Sequence, residues 1–207
     1  VIDSSAEISF LSSVAKRFNS YVAGGSFIES DKGRLYNTMP FILPDGQIMN
    51  IYRKIHLFSP MNEDKHFSPG NEVLTFQTKI GCIGLSLCYD IRFPEMFRVM
   101  ALKGAELIIV AAQFPEPRLE HWLTLLKARA IENQLFVVAV NRVKSNNSYT
   151  FFKNSVVIDP FGNIILNAGD GIGIYSVEID TEEITNVRSK IPGFRDINKY
   201  FFNCSLL

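Results

Sequence analysis

Two residues stand out for the chemistry their settings allow. Cys88 closes the apolar run 82–87 and is followed by Tyr89, Asp90 and Arg92, so a strand ending in a thiol would feed directly into the next element. A thiolate presented there could attack a carbonyl carbon. Lys54 sits in Tyr52-Arg53-Lys54-Ile55-His56-Leu57, between a strand and a polar loop. Beside a cysteine it would lower the thiol pKa and bind the oxyanion that the attack creates. Taken alone, each residue has a plainer reading, Cys88 as an inert core sulfur and Lys54 as a solvated surface charge. The histidines His56, His66 and His121 form neither an HExxH nor a C-x-x-C…H pattern, so no metal site is expected. A papain-like pairing of Cys88 with His121 or His56 stays open on residue types, without a local signature behind it.

Segments of helical period alternate with short β-rich runs, which predicts a layered α/β architecture. Ile8, Leu11, Val14, Ala15 and Phe18 mark a helix over about residues 5–18, opened by Ser4 and Ser5. Asp31-Lys32-Gly33-Arg34 is turn chemistry between the β-prone stretches 21–28 and 36–43, and Pro44-Asp45-Gly46-Gln47 is a second turn before a strand at 48–51. Residues 59–70, with two prolines and a glycine, read as a long loop. Beyond the strand 82–87 come a helix at 93–102, a strand at 107–112, a helix at 119–133 and a strand at 135–141. A hairpin turns on Asp159-Pro160-Phe161-Gly162-Asn163 between 155–158 and 164–166, a further strand is expected at 174–179, and a short helix at 181–189. Residues 192–207 form an aromatic tail without period.

Composition narrows the function classes. The 207 residues carry 21 Lys plus Arg against 21 Asp plus Glu, and this zero balance disfavours nucleic-acid binding driven by phosphate contacts. Cys82, Cys88 and Cys204 are too few and odd in number for a disulfide framework, which points to a reducing, cytoplasmic setting. The longest apolar stretches fall far short of the roughly 18 residues a membrane span needs. Residue 1 is Val rather than Met and no signal-peptide pattern follows, so the opening reads as cut.

The ordered motifs change the odds on Lys54 and Cys88. Tyr52-Arg53-Lys54-Ile55-His56-Leu57, then Glu63 with Gly70 seven residues on, then Leu87-Cys88-Tyr89-Asp90-Ile91-Arg92-Phe93-Pro94-Glu95 resembles the nitrilase, or carbon–nitrogen hydrolase, superfamily. The resemblance continues through Ala111-Ala112-Gln113-Phe114-Pro115, His121-Trp122, Ala128 to Asn133, Asn141-Arg142 and Ser155 to Gly162. The runs around Cys88, Gln113 and Glu132 are most similar to the omega-amidase branch, which hydrolyses small ω-monoamides of dicarboxylic 2-oxo acids. The resemblance implies one domain over 1–207 with a tail at 192–207, folded as a four-layer αββα sandwich of the nitrilase type that lacks its opening strand and helix. It implies a homodimer with no cofactor, no metal, no nucleic-acid partner and no membrane.

Carried over residue by residue, the resemblance makes Cys88 the nucleophile and Lys54 the lysine of a Glu-Lys-Cys triad. Glu63 becomes a loop-borne carboxylate that orients the lysine and substrate, although alone it reads as a solvated loop acid. The backbone N–H of Tyr89 would complete the oxyanion site, and Gln113 and Phe114 would line the pocket. Arg92 and Glu95 are expected to brace the helix after the nucleophile through an ion pair, and Glu132 and Trp122 to be structural. The first triad glutamate has no counterpart here: Glu7 reads as a helix first-turn acid and Glu29 as part of a hairpin. The chain is therefore expected to be a fragment of an amidase acting through a cysteine thioester. Alternatives are an N-carbamoyl amino acid amidohydrolase, a nitrilase, or an impaired relative that serves as a ligand-binding or assembly protein.

Overall fold

Ser5 starts the first helix as its sequence demands. Its hydroxyl accepts the backbone N–H of Ile8, Glu7 lies in the first turn, and the helix α1 (Ala6–Phe18) stops at Asn19 in the left-handed conformation. This geometry comes from a computed structural model, which describes residues 5–144, 149–169 and 171–198. Backbone contacts divide the chain into two compact units, one of residues 1–72 and 85–90, the other of residues 73–84 and 91–207.

The first unit is built on β3 (Arg34–Ile42), which is buried throughout residues 38–42. Along one edge it pairs with β1 (Val22–Ala23) and β2 (Phe27–Asp31), and along the other with β4 (Ile48–Arg53), all antiparallel. The β2–β3 connection is a two-residue turn with Lys32 at φ 47° and Gly33 at φ 76°, the twist-matched geometry that tight hairpins favour. Met39, Phe41, Ile42, Tyr52, Ile8 and Ala15 are buried and form the core of this unit. The expected loop at 59–70 is more ordered than its composition suggests. Ser59–Met61 is a 3₁₀ turn and α2 (Glu63–His66) a single helical turn, joined at Asn62 in the left-handed conformation. Two short local turns, the first led by Pro60, replace an irregular excursion because each closes its own short hydrogen bonds.

The second unit carries most of a six-stranded sheet ordered β10-β9-β8-β7-β6-β5. Its strands are β5 (Thr75–Thr78), β6 (Gly81–Leu87), β7 (Leu107–Ala112), β8 (Phe136–Asn141), β9 (Val156–Ile158) and β10 (Ile164–Asn167). Helix α3 (Pro94–Leu102) follows β6, α4 (Leu119–Asn133) links the parallel strands β7 and β8, and α5 (Glu182–Lys190) comes last. Strand β5 escaped the sequence reading because its polar pattern hides a four-residue edge pairing with β6.

One expected strand is absent. Residues 174–179 have the β-rich composition but form no strand, and Ile172 and Ile174 are exposed. Side-chain preference alone does not make a strand; a ladder partner is required, and none pairs with this segment among the described residues. The aromatic cluster Tyr200, Phe201 and Phe202 and the cysteine Cys204 lie outside the described residues.

Trp122 anchors the core of the second unit. It is fully buried, packs against Phe114 and Phe152 at centroid distances of 5.3 and 6.3 Å, and donates Nε1–H to the Asn154 carbonyl at 2.9 Å. Truncating such a side chain costs the transfer energy and leaves a cavity. Trp122→Ala should lower stability by about 3–5 kcal/mol, read as a fall in the urea midpoint at unchanged slope.

Candidate active site

Lys54 follows the last residue of β4, and its backbone is held on both sides. Its N–H donates to the Asn37 carbonyl of β3 at 2.8 Å, and its carbonyl accepts the Gly70 N–H at 2.8 Å. Gly70 permits that approach because a Cβ there would collide with the Arg53 carbonyl. The lysine side chain is only 2% exposed, and its Nζ reaches Glu63 Oε2 at 2.5 Å. A buried ammonium is tolerated only when paired and hydrogen-bonded.

Glu63 is itself fixed. The same Oε2 accepts the Phe58 N–H at 2.6 Å, while Oε1 accepts from Asn37 Nδ2 at 3.0 Å. Ser26 donates to Asn37 Oδ1 at 2.6 Å, which sets the orientation of the Asn37 amide. Asn37 thus grips both ends of Lys54, the backbone directly and the ammonium through Glu63.

Cys88 follows β6 directly, in a 3₁₀ turn over Cys88–Arg92, and has φ 48°. This left-handed conformation is strained for a residue with a Cβ, and such strain concentrates where a side chain must be presented for chemistry. The side chain is half-buried and carries a thiol rather than a disulfide. Two sets of contacts join the Cys88 turn to the Lys54 region within the first unit. The Phe58 ring packs against the Tyr89 ring at 4.8 Å. Asp90, fully buried, accepts Tyr52 O–H at 2.7 Å and the Leu87 N–H at 2.9 Å on Oδ2, and the His56 N–H at 3.0 Å on Oδ1, with His56 Nδ1 also 2.9 Å from Oδ1. Burial, reinforced by the Asp90 charge, pushes the Tyr52 phenol well above its ordinary pKa, so it stays a donor.

The other expected residues lie in the second unit. Gln113 accepts from Arg142 at 2.8 Å. Phe114 is buried, its N–H and carbonyl both bonded to the Asn141 side chain at 2.7 and 3.1 Å. Arg92 departs from expectation: in place of an ion pair with Glu95 it lies 3.1 Å from His121 Nδ1 and over the Phe114 ring at 5.5 Å. Glu95 is exposed at the first turn of α3, where it faces water and the helix dipole instead. Glu132 is structural, pairing with Arg129 at 2.8 Å, and Arg129 in turn donates twice to the Ile91 carbonyl. Glu29 is engaged by Arg53, through bonds of 2.9 and 2.6 Å. Among the described residues no group of three or more His, Cys, Asp or Glu side chains could hold a metal ion, and no helix is long and apolar enough to cross a membrane.

A profile of the Carbon-nitrogen hydrolase family matches residues 3–189, running through both units. The chain belongs to the carbon–nitrogen hydrolase family. Among its relatives, 2-oxoglutaramate amidase of Bacillus subtilis (strain 168) is 43% identical over 92% of this chain and 74% of its own. Omega-amidase NIT2 of Homo sapiens is 36% identical over 89% and 70%. Among solved structures, Saccharomyces cerevisiae Nit3, a member of branch 10 of the nitrilase superfamily, superposes with TM-score 0.85 at 35% identity, over 91% of this chain and 70% of that one. A carbon-nitrogen hydrolase from Helicobacter pylori G27 superposes with TM-score 0.89 at 31% identity, over 95% and 74%. The fold is therefore the nitrilase type, a mixed α/β arrangement of two sheets with helices, and the protein is an amidase of this family.

The buried phenol of this carbon–nitrogen hydrolase makes an alkaline prediction. Tyr52 has a folded pKa above its unfolded value of about 10. Its contribution to stability is complete below the unfolded value and is lost as pH rises from there toward the folded pKa. Urea titrations above about pH 10 should show wild type losing stability more steeply than Tyr52→Phe, with the two curves parallel at pH 7 to 9.

Proposed function

We propose that this protein hydrolyses the terminal amide of small ω-monoamides of dicarboxylic 2-oxo acids, releasing ammonia through a thioester on Cys88. The observation that carries the reading is the buried Lys54 ammonium, clamped by Glu63 in the same compact unit as a strand-end thiol. The names of the relatives, 2-oxoglutaramate amidase and omega-amidase, support the choice of substrate.

In this mechanism the Cys88 thiolate attacks the amide carbonyl, and the carbonyl π electrons move to oxygen. Lys54 and the Tyr89 N–H stabilise that oxyanion. Its collapse breaks the C–N bond, and ammonia departs with an added proton, leaving the acyl group on sulfur. Water then attacks the thioester, giving the carboxylic acid and the thiol. The proton shuttle in both halves needs a carboxylate, a role the family pattern gives to a glutamate without a counterpart in residues 1–207. Glu63 does not fill it, because its oxygens are committed to Lys54, Phe58 and Asn37. Gln113 and Phe114 belong to the pocket wall in the same reading, with Arg142 orienting the Gln113 amide and Asn141 fixing the Phe114 backbone. The protein is taken as a cytoplasmic homodimer that needs no cofactor.

Ammonia release from the natural full-length protein tests this with three substrate classes: 2-oxoglutaramate-like monoamides, N-carbamoyl amino acids and simple nitriles. The monoamides should give the highest kcat/KM, and a preference for carbamoyl acids or nitriles would overturn the substrate assignment. Lys54→Ala should lower kcat by roughly 10²- to 10³-fold, the scale of losing one oxyanion donor, and Cys88→Ala should abolish turnover. Activity that survives Lys54→Ala but not His56→Ala or His121→Ala would favour a cysteine–histidine mechanism instead. Absence of turnover on all three classes would favour a binding or assembly role.

A further inference from the structure

We propose that Asp90 is a positioning residue that holds Lys54 and Cys88 in register for the reaction; this rests on the lysine–cysteine reading above. Its carboxylate is fully buried, and its four contacts divide evenly between its two oxygens, three of them to residues 52–56 and one to Leu87. Oδ1 takes the backbone N–H and the Nδ1 of His56, two residues after Lys54. Oδ2 takes the Tyr52 hydroxyl, two residues before Lys54, and the Leu87 N–H, one residue before Cys88. Tyr52 extends the tie, since its oxygen also accepts the Ile55 N–H at 3.3 Å. One rigid group therefore spans the residues on both sides of the lysine and the residue preceding the nucleophile. Asp90 touches neither reacting atom in this account and acts only through placement.

Asparagine cannot reproduce these contacts. Its NH₂ must take the place of one oxygen, facing either Tyr52 and Leu87 or His56. A phenol or an imidazole can turn and become an acceptor, but a backbone N–H cannot. In either orientation one backbone N–H, that of Leu87 or that of His56, loses its partner. The slack falls next to Cys88 or next to Lys54, and misplacement of about 1 Å can cost up to 10²-fold in rate.

Two readouts separate positioning from a merely structural role. The first is kcat against KM for the preferred monoamide, and the second is the rate of Cys88 alkylation by iodoacetamide at fixed neutral pH, followed by peptide mass spectrometry. Removing the Asp90 charge alone would favour the thiolate and speed alkylation, whereas loosening Lys54 would slow it. Asp90→Asn, folded by circular dichroism, should show kcat lower by roughly 10- to 100-fold with KM within about threefold, and slower alkylation. Tyr52→Phe, which gives up the phenol's two bonds but keeps those of Asp90 to the Leu87 and His56 N–H groups, should move both quantities the same way by less. If Asp90→Asn folds and its kcat is that of wild type, or its Cys88 alkylates as fast or faster, the proposal is overturned. If Asp90→Asn does not fold, Tyr52→Phe decides, and wild-type kcat and alkylation in that variant overturn it. Wild-type turnover in Lys54→Ala would remove the reading underneath; loss of turnover in Lys54→Ala beside a wild-type Asp90→Asn removes only the tether.

Discussion

Burying an ammonium group is the constraint around which the first unit is organised. Water would solvate Lys54 far better than protein unless a carboxylate and fixed dipoles replace the lost hydration. Glu63 supplies the charge at 2.5 Å, but a glutamate in a polar loop would lose side-chain entropy and drift unless held. Asn37 and the Phe58 N–H hold it. The single turn α2 and the 3₁₀ turn before it bring Glu63 back over β4, and Gly70 lets the returning chain lie against Arg53 and Lys54. Each of these features would be arbitrary without the buried lysine; together they are what it takes to keep a buried cation fixed, as the proposed oxyanion role requires.

The same unit stores strain on the thiol side. Cys88 pays for a left-handed backbone conformation that glycine would adopt freely, at a cost on the order of 1–3 kcal/mol. That conformation turns the chain sharply from β6 into a 3₁₀ turn. Asp90 bonding back to the Leu87 N–H closes the turn, and the Phe58–Tyr89 ring contact backs it. In the second unit Arg129, nearly buried, secures the Ile91 carbonyl where the turn leads on toward α3. The strained turn that carries the thiol is over-determined, as a strained conformation must be to persist.

Much of the fold was legible because its signals are local. The apolar run 135–140, the turn at Lys32-Gly33 and the cap at Ser5 each encode their element within a few residues. Lys54, Glu63 and Cys88, the proposed catalytic residues, were singled out by ordered motifs. Asn37, Tyr52 and Asp90 were not, because the pairings Asn37–Glu63 and Tyr52–Asp90 span 26 and 38 residues and form only once the chain has folded. The strand expected at 174–179 failed for a related reason, since composition reports a side-chain preference and says nothing of a ladder partner. Arg92 was misread because an i,i+3 acid looked like its natural mate, whereas the aromatic face of Phe114 and the His121 imidazole take the guanidinium.

The central claim is that Cys88, with Lys54 at its side, carries the acyl group. Acid-quenching the working enzyme with a 2-oxoglutaramate-like monoamide and mass analysis of its peptides tests this directly. The account predicts a hydroxylamine-labile acyl adduct on the peptide containing Cys88, formed within one turnover and much reduced in Lys54→Ala. Steady turnover with Cys88 unmodified, or an adduct on another residue, would contradict it.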